Sequence, residues 1–135
     1  MASIREEIFT TARADEVWDA IRDVGALHTR LVPGFVVDTR LEGSVRVVTF
    51  GNGMTVREPI VDLDDRARRL VWSATGGVTT HYNASVQVFE EGNGSRVVWI
   101  ADLLPNEAAA RVRAMMRQGM EVMKRTLDGM KRPRS

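Results

Sequence analysis

At 135 residues and a net charge of +1, with acidic and basic side chains interspersed, the chain is sized for one domain with its own core and carries no broad field to attract nucleic acid. It contains no cysteine, which excludes disulfides and thiolate chemistry, and only His28 and His81, which give little support to a His-rich metal centre or a Ser/His triad. A His/carboxylate site stays open but unsignalled. No signal-type apolar region opens the sequence and no apolar run is long enough to span a bilayer, so a cytoplasmic protein without an integral membrane segment, metal or cofactor is expected.

Ser3 to Thr11 alternates loosely around Ile4, Ile8 and Phe9 and reads as a first strand. Ala14 to Arg22 switches to helical spacing, with Val17, Trp18 and Ile21 on one side and Asp15 and Glu16 in the first turn. Trp18 is a core anchor on this reading. Between Asp23 and Gly34 the periodicity breaks into a short helix or loop ended by Pro33-Gly34, where a cavity mouth could lie.

Six strands follow. Phe35 to Glu42 sets Phe35, Val37 and Leu41 against Asp38, Arg40 and Glu42; Gly43 turns the chain into Val45 to Phe50, and Gly51-Asn52-Gly53 signals a hairpin. Met54 to Asp64, Leu70 to Thr75 and Val78 to Phe89 come next, and Gly92-Asn93-Gly94 makes a second hairpin into Arg96 to Leu104.

The last element is a long amphipathic helix, from Pro105 or Asn106 to Met130. Val112, Met116, Met120, Met123, Leu127 and Met130 recur every three or four residues, and Arg113, Arg117, Glu121, Lys124 and Asp128 do the same on another face. Asn106 stands in the N-cap position with Glu107 in the first turn. About 25 residues give roughly 37 Å, enough to cross a small domain. The apolar stripe is rich in Met and carries Gly119 at mid-helix, which fits either a soft core helix or the lid of an adjustable apolar cavity. The tail Lys131, Arg132, Pro133, Arg134 reads as a solvated basic end.

Strand parity sorts inward from outward side chains. Met54, Val56, Glu58, Ile60 and Asp62 form the more apolar set of their strand, which puts Glu58 on the inner face. Tyr82, Ala84, Val86 and Val88 point in, and His81 points out as a surface or interface residue, so a homodimer stays open. Leu70, Trp72 and Ala74 share a face. The last strand is apolar on both parities, and its even set, Val98, Ile100 and Asp102, would aim Asp102 inward.

The order strand, helix, short helix, six antiparallel strands, long helix resembles the helix-grip fold of the SRPBCC superfamily, which includes START domains, birch-pollen-allergen-like proteins, and polyketide cyclase/dehydrase and lipid-transport proteins. The resemblance is carried by Ala14-Asp15-Glu16-Val17-Trp18, residues 50 to 58, the turn at 62 to 65, residues 68 to 73, His81 to Ser85 and residues 96 to 105, and it covers essentially the whole chain. It implies an α+β domain in which a seven-stranded antiparallel sheet wraps around the C-terminal helix, with two short helices between the first two strands. Pro59 departs from that frame: it falls in an internal strand, so a bulge or kink is expected there.

The superfamily includes carriers, hormone receptors, aromatase/cyclases and interaction modules, so fold leaves function open. Three readings follow. The first is a carrier or sensor for a small hydrophobic molecule, lipid-, polyketide- or isoprenoid-like, in a cavity lined by Phe35, Val37, Val56, Glu58, Trp72, Tyr82, Ala84, Ile100, Met116, Gly119, Met120 and Met123. The second is a cyclase/dehydratase using a buried carboxylate, with Glu58, Asp102 and His28 as acid–base candidates. The third is an interaction module with a collapsed core. Each candidate also has a plainer role: Glu58 as the ion-pair partner of Arg46 or Arg57, Asp102 as a backbone cap, His28 as a loop residue, Trp72 and Trp99 as core. As a ligand contact, Glu58→Gln weakens binding at nearly constant melting temperature; as a structural partner, it destabilises. Likewise Gly119→Leu is expected to leave folding intact and block uptake.

Overall fold

A computed structural model describes residues 1–130. The basic tail from Lys131 to Arg134 lies outside the described residues. Seven strands form one antiparallel sheet: β1 (Ala2–Thr10), β2 (Val36–Glu42), β3 (Val45–Phe50), β4 (Thr55–Asp64), β5 (Arg69–Ser73), β6 (His81–Glu91) and β7 (Gly94–Leu104), in the order β1-β7-β6-β5-β4-β3-β2. The helix-grip fold expected from the sequence is therefore present. Consecutive strands from β2 to β7 are neighbours, as short turns demand, and β1 closes the far edge by pairing with β7.

Helix α1 (Ala14–Arg22) buries Val17, Trp18 and Ile21, and the Trp18 indole N–H donates to Asp65 Oδ1 at 2.9 Å. That bond ties the helix to the turn between β4 and β5 while the ring fills the core. The segment from Val24 to Leu31 forms a 3-10 turn followed by a single π turn, so the broken periodicity of this stretch is a real change of helical pitch.

Helix α2 runs Ala109–Asp128, preceded by a 3-10 turn over Asn106–Ala108. Asn106 thus lies inside the turn and makes no side-chain cap, contrary to the sequence expectation. Pro105 has no N–H to satisfy and pre-sets the entry. Val112, Met116, Met120, Met123 and Leu127 are buried, each contributing about 1.5–3 kcal/mol by the usual area scale. The C-terminal end of α2 is fastened to β1: Thr10 Oγ1 donates to Asp128 Oδ1 at 2.7 Å, the Thr11 N–H donates to the same oxygen at 3.1 Å, and Lys124 Nζ donates to the Phe9 carbonyl at 2.6 Å.

Two irregularities shape the inner face. The β4–β5 ladder starts at Ile60 opposite Trp72 and shifts register at Val61; beyond Pro59 only the isolated bridge of Arg57 with Thr75 remains. Pro59 lacks the donor that its β5-facing side would need, and the ladder is interrupted there, but the Arg57–Thr75 and Ile60–Trp72 pairs keep one register, so the bulge expected at Pro59 falls at Val61 instead. A second register shift falls between Val36 and Asp38, leaving Val37 as the extra residue of a bulge.

Candidate functional site

Between the sheet, α2 and the 27–36 segment lies a cavity of about 120 Å³. Its wall is apolar for the most part. The sheet contributes Phe50, Val56, Leu70, Trp72, Val86 and Trp99, the helix Val112, Met115, Met116 and Met123, and the irregular segment Leu27, Leu31, Val32 and Phe35. The loop from Gly76 to Thr79, the side chain of Met54, and Ile21, Val36 and Ala74 complete it. Gly76 and Gly77 take φ of +102° and +74°, a conformation that side-chain-bearing residues avoid, so the loop depends on both glycines.

One polar cluster interrupts this wall. Arg46 and Glu58 are direct cross-strand partners, and Arg46 Nε and Nη2 reach Glu58 Oε1 at 2.9 and 2.7 Å. The residues are only 3% and 7% exposed. The Arg46 guanidinium carbon also lies 5.5 Å from the Trp72 ring centroid, within cation–π range. Burial pushes the Glu58 carboxyl upward and the Arg46 charge and hydrogen bond pull it back, burial being the larger influence. Tyr82 faces the same space, its hydroxyl held well above the ordinary phenol range by burial first and then by the charge of Glu58, with the Trp99 N–H opposing. At neutral pH that hydroxyl keeps its proton and can donate.

Of the residues expected at a binding site, Phe35, Val56, Glu58, Trp72, Tyr82, Met116 and Met123 stand on the cavity wall. Ala84, Gly119 and Met120 are buried but belong to the packed core and do not reach the wall. A Cβ at Gly119 would meet the Phe35 ring at 3.0 Å and the Trp99 ring at 3.3 Å, so two aromatic rings already fill the room beneath it. Val37 and Ile100 point outward at 54% and 37% exposure. The bulge in β2 turns Val37 out, and Ile100 lies on the wrong parity, because Ala84 and Val86 face in and pair with Ala101 and Trp99. Asp102 shares the outer parity with Ile100, beside Asn83 and Ser3. His28 sits half-buried in the π turn with Nδ1 enclosed and unpartnered, and its side chain is not part of the wall. Arg57, the other partner considered for Glu58, bonds Glu42 on the outer face at 3.0 Å. Among the described residues no three His, Asp or Glu side chains converge as metal ligands would.

Residues 1–132 match the family model described as polyketide cyclase/dehydrase and lipid transport. The chain belongs to that family. No curated protein matches it significantly. Among solved structures, the protein XoxI from Bacillus cereus aligns with a TM-score of 0.84 at 21% identity, over 94% of this chain and 96% of that one. The major latex-like protein 151 of Panax ginseng gives 0.78 at 13% identity, over 93% and 97%, and a START superfamily protein from Mycobacterium smegmatis gives 0.72 at 10%, over 94% of each. At such identities the likeness is one of fold. Membership of the polyketide cyclase/dehydrase and lipid transport family, with this fold, places the chain in the SRPBCC superfamily and points to an apolar ligand or polyketide-type substrate without choosing between them.

Parity alone missed two members of the polar cluster on this family member's wall. Arg46 entered only as a partner for Glu58, and Trp99 only as core. The signal was there in the hairpins, whose turns fix which residues stand opposite each other.

Proposed function

We propose that this protein holds a small hydrophobic molecule in the cavity between sheet and α2, as a carrier or sensor, with Tyr82 and the Arg46–Glu58 pair orienting the ligand's polar end. The observation that carries the reading is the wall itself: apolar side chains on every side and one compact polar cluster, the usual make-up of a ligand pocket. Size refines it. The volume of about 120 Å³ compares with an apolar cavity of ~150 Å³ that takes benzene, and falls below the ~300–1,000 Å³ of sites for larger ligands. The buried part of the guest is therefore about one ring or a short branched chain. A whole lipid, polyketide or isoprenoid requires Met54, Met115, Met116 and Met123 to move aside, and the thioether side chain suits that.

Native mass spectrometry of the purified protein, together with titration by small aromatic probes, tests the reading. Ala74→Leu adds volume on the wall and should abolish probe binding while the chain stays folded. A wild-type protein that retains no ligand and takes no apolar probe would refute it. The cyclase/dehydratase alternative draws on one feature, the upward-pushed carboxyl of Glu58. It expects turnover of a polyketide-like carbonyl compound that Glu58→Gln abolishes, with the variant's fold checked separately.

A further inference from the structure

We infer that the Trp99 indole N–H is the recognition donor of this cavity and selects neutral guests carrying a hydrogen-bond acceptor, such as a ketone or aldehyde oxygen, on a small apolar body. The inference rests on the ligand-binding reading above and adds the chemical class of the guest.

Its basis is an orphaned donor. Nε1 of Trp99 is fully enclosed and has no hydrogen-bond partner among the described residues. An indole nitrogen can only donate, and buried donors in native proteins are rarely left unpaired. Trp99 also lines the cavity. Its ring is fixed there by packing: the Trp72 centroid lies 6.1 Å away at an interplanar angle of 47°, and Gly119 brings α2 so near that a Cβ would come within 3.3 Å of Trp99 Cζ3. Trp18 provides the contrast within the same chain. Its N–H is paired with Asp65, so an unpaired indole is not a general property of this core.

The surroundings then decide what kind of partner fits. Tyr82 lies close enough for the Trp99 N–H to influence its hydroxyl, yet no hydrogen bond of good geometry closes between them. The nearby carboxylate oxygen Glu58 Oε1 is taken twice by Arg46. Trp99 Nε1 has no free surface on the cavity and lies toward the Tyr82 hydroxyl, so a guest's acceptor atom reaches it by moving that hydroxyl aside and then accepts from both donors, Trp99 N–H and Tyr82 O–H. A carboxylate guest would place a second negative charge beside Glu58, whose one cation is already engaged, so a neutral acceptor is preferred.

A matched pair of probes tests this. Acetophenone and α-methylstyrene have nearly the same shape and differ in C=O against C=CH2. Binding of each to wild type and to Trp99→Phe is measured by calorimetry, with the indole ¹⁵N–¹H spectrum of the wild type recorded in parallel. After correction for their different partition out of water, the ketone should bind wild type about 5- to 10-fold more tightly. Trp99→Phe should lose that preference while keeping the hydrocarbon. In the wild-type spectrum the ketone alone should move the Trp99 indole proton downfield, and the Trp18 indole should stay in place. Equal binding of the two probes to wild type, a preference that survives in Trp99→Phe, or a still Trp99 resonance would overturn the inference and leave the cavity reading standing. Binding of neither probe would remove that reading and this one together. If Trp99→Phe does not fold, the wild-type preference and indole shift decide alone.

Discussion

Removing the charge of Glu58 is the most informative single perturbation, because the geometry gives its two partners unequal ways out. Glu58→Gln leaves the Arg46 guanidinium buried with no counter-charge, and a guanidinium cannot shed its proton. Breaking a buried pair from one side costs about 3–5 kcal/mol; the amide oxygen can still accept one hydrogen bond, so we expect about 3 kcal/mol, or roughly 10 °C in melting temperature for a chain of this size. The near-constant melting temperature that a pure ligand contact implies is therefore not expected. Arg46→Met leaves a carboxyl that burial already pushes upward, and that group escapes by taking a proton. The sign follows. A carboxyl whose pKa is raised by folding stabilises most below its unfolded value, near 4.3, and loses that contribution as pH rises through the folded value. Urea unfolding should thus find Arg46→Met less impaired at pH 5 than at pH 8, and Glu58→Gln impaired about equally at both. The double variant Arg46→Met/Glu58→Leu should recover most of the loss. A Glu58→Gln protein as stable as wild type, or a double variant worse than the sum of the singles, would refute the reasoning.

Gly119→Ala sets about 1 kcal/mol of helix propensity against a Cβ 3.0 Å from the Phe35 ring, so we expect stability within about 1 kcal/mol of wild type but weaker probe binding as Phe35 tilts into the cavity; unchanged affinity in a titration would count against that placement. Gly119→Leu pushes on both rings and should destabilise as well as block, unlike a residue beneath which space is free. For Asp128, burial works upward on the carboxyl, but the Thr10 hydroxyl, the Thr11 N–H and Lys124 together hold it below the usual carboxylate range. Asp128→Asn should cost about 1 kcal/mol at neutral pH, discounted for exposure, and the gap should close as pH falls through the folded pKa, which a pH series of thermal melts would read. Val36→Ala should cost about 2 kcal/mol and Val37→Thr under 0.5; equal effects in urea unfolding would contradict the bulge.

The fold was legible because its signals are local and repeated. Two glycine-flanked Asn turns mark two of the hairpins, and a stripe from Val112 to Leu127 can be buried only against a sheet. The site was legible only in part, because its members are set by register across strands. The β3–β4 turn closes at Phe50 opposite Met54, and counting four residues back along each strand puts Arg46 opposite Glu58; Arg57 falls opposite Val47 on the other face. Likewise Gly92 and Asn93 join Glu91 to Gly94, so inward even positions in β6 continue as inward odd positions in β7. That count would have chosen Trp99 and Ala101 over Ile100 and Asp102. Val37 is different. A bulge adds a residue without marking it in the sequence, and a valine followed by a valine gives hydrophobicity no way to say which one turns in.

Strand register also bears on whether the cavity does chemistry. A general acid or base must be free to approach the atom it serves, within about 2.6–3.2 Å. Glu58 instead faces its cation directly across a ladder, where neither backbone can retreat without unpairing β3 from β4, and both bonds from Arg46 converge on one oxygen. Moving a proton through Oε1 would require breaking them inside the apolar wall. That favours recognition over proton transfer. Under the proposed ligand-binding role, the ion pair beside Trp72 and Tyr82, where two apolar residues would pack at least as well, contributes polarity at one spot, and one polar spot is what a small apolar cavity needs to hold a guest in a single orientation.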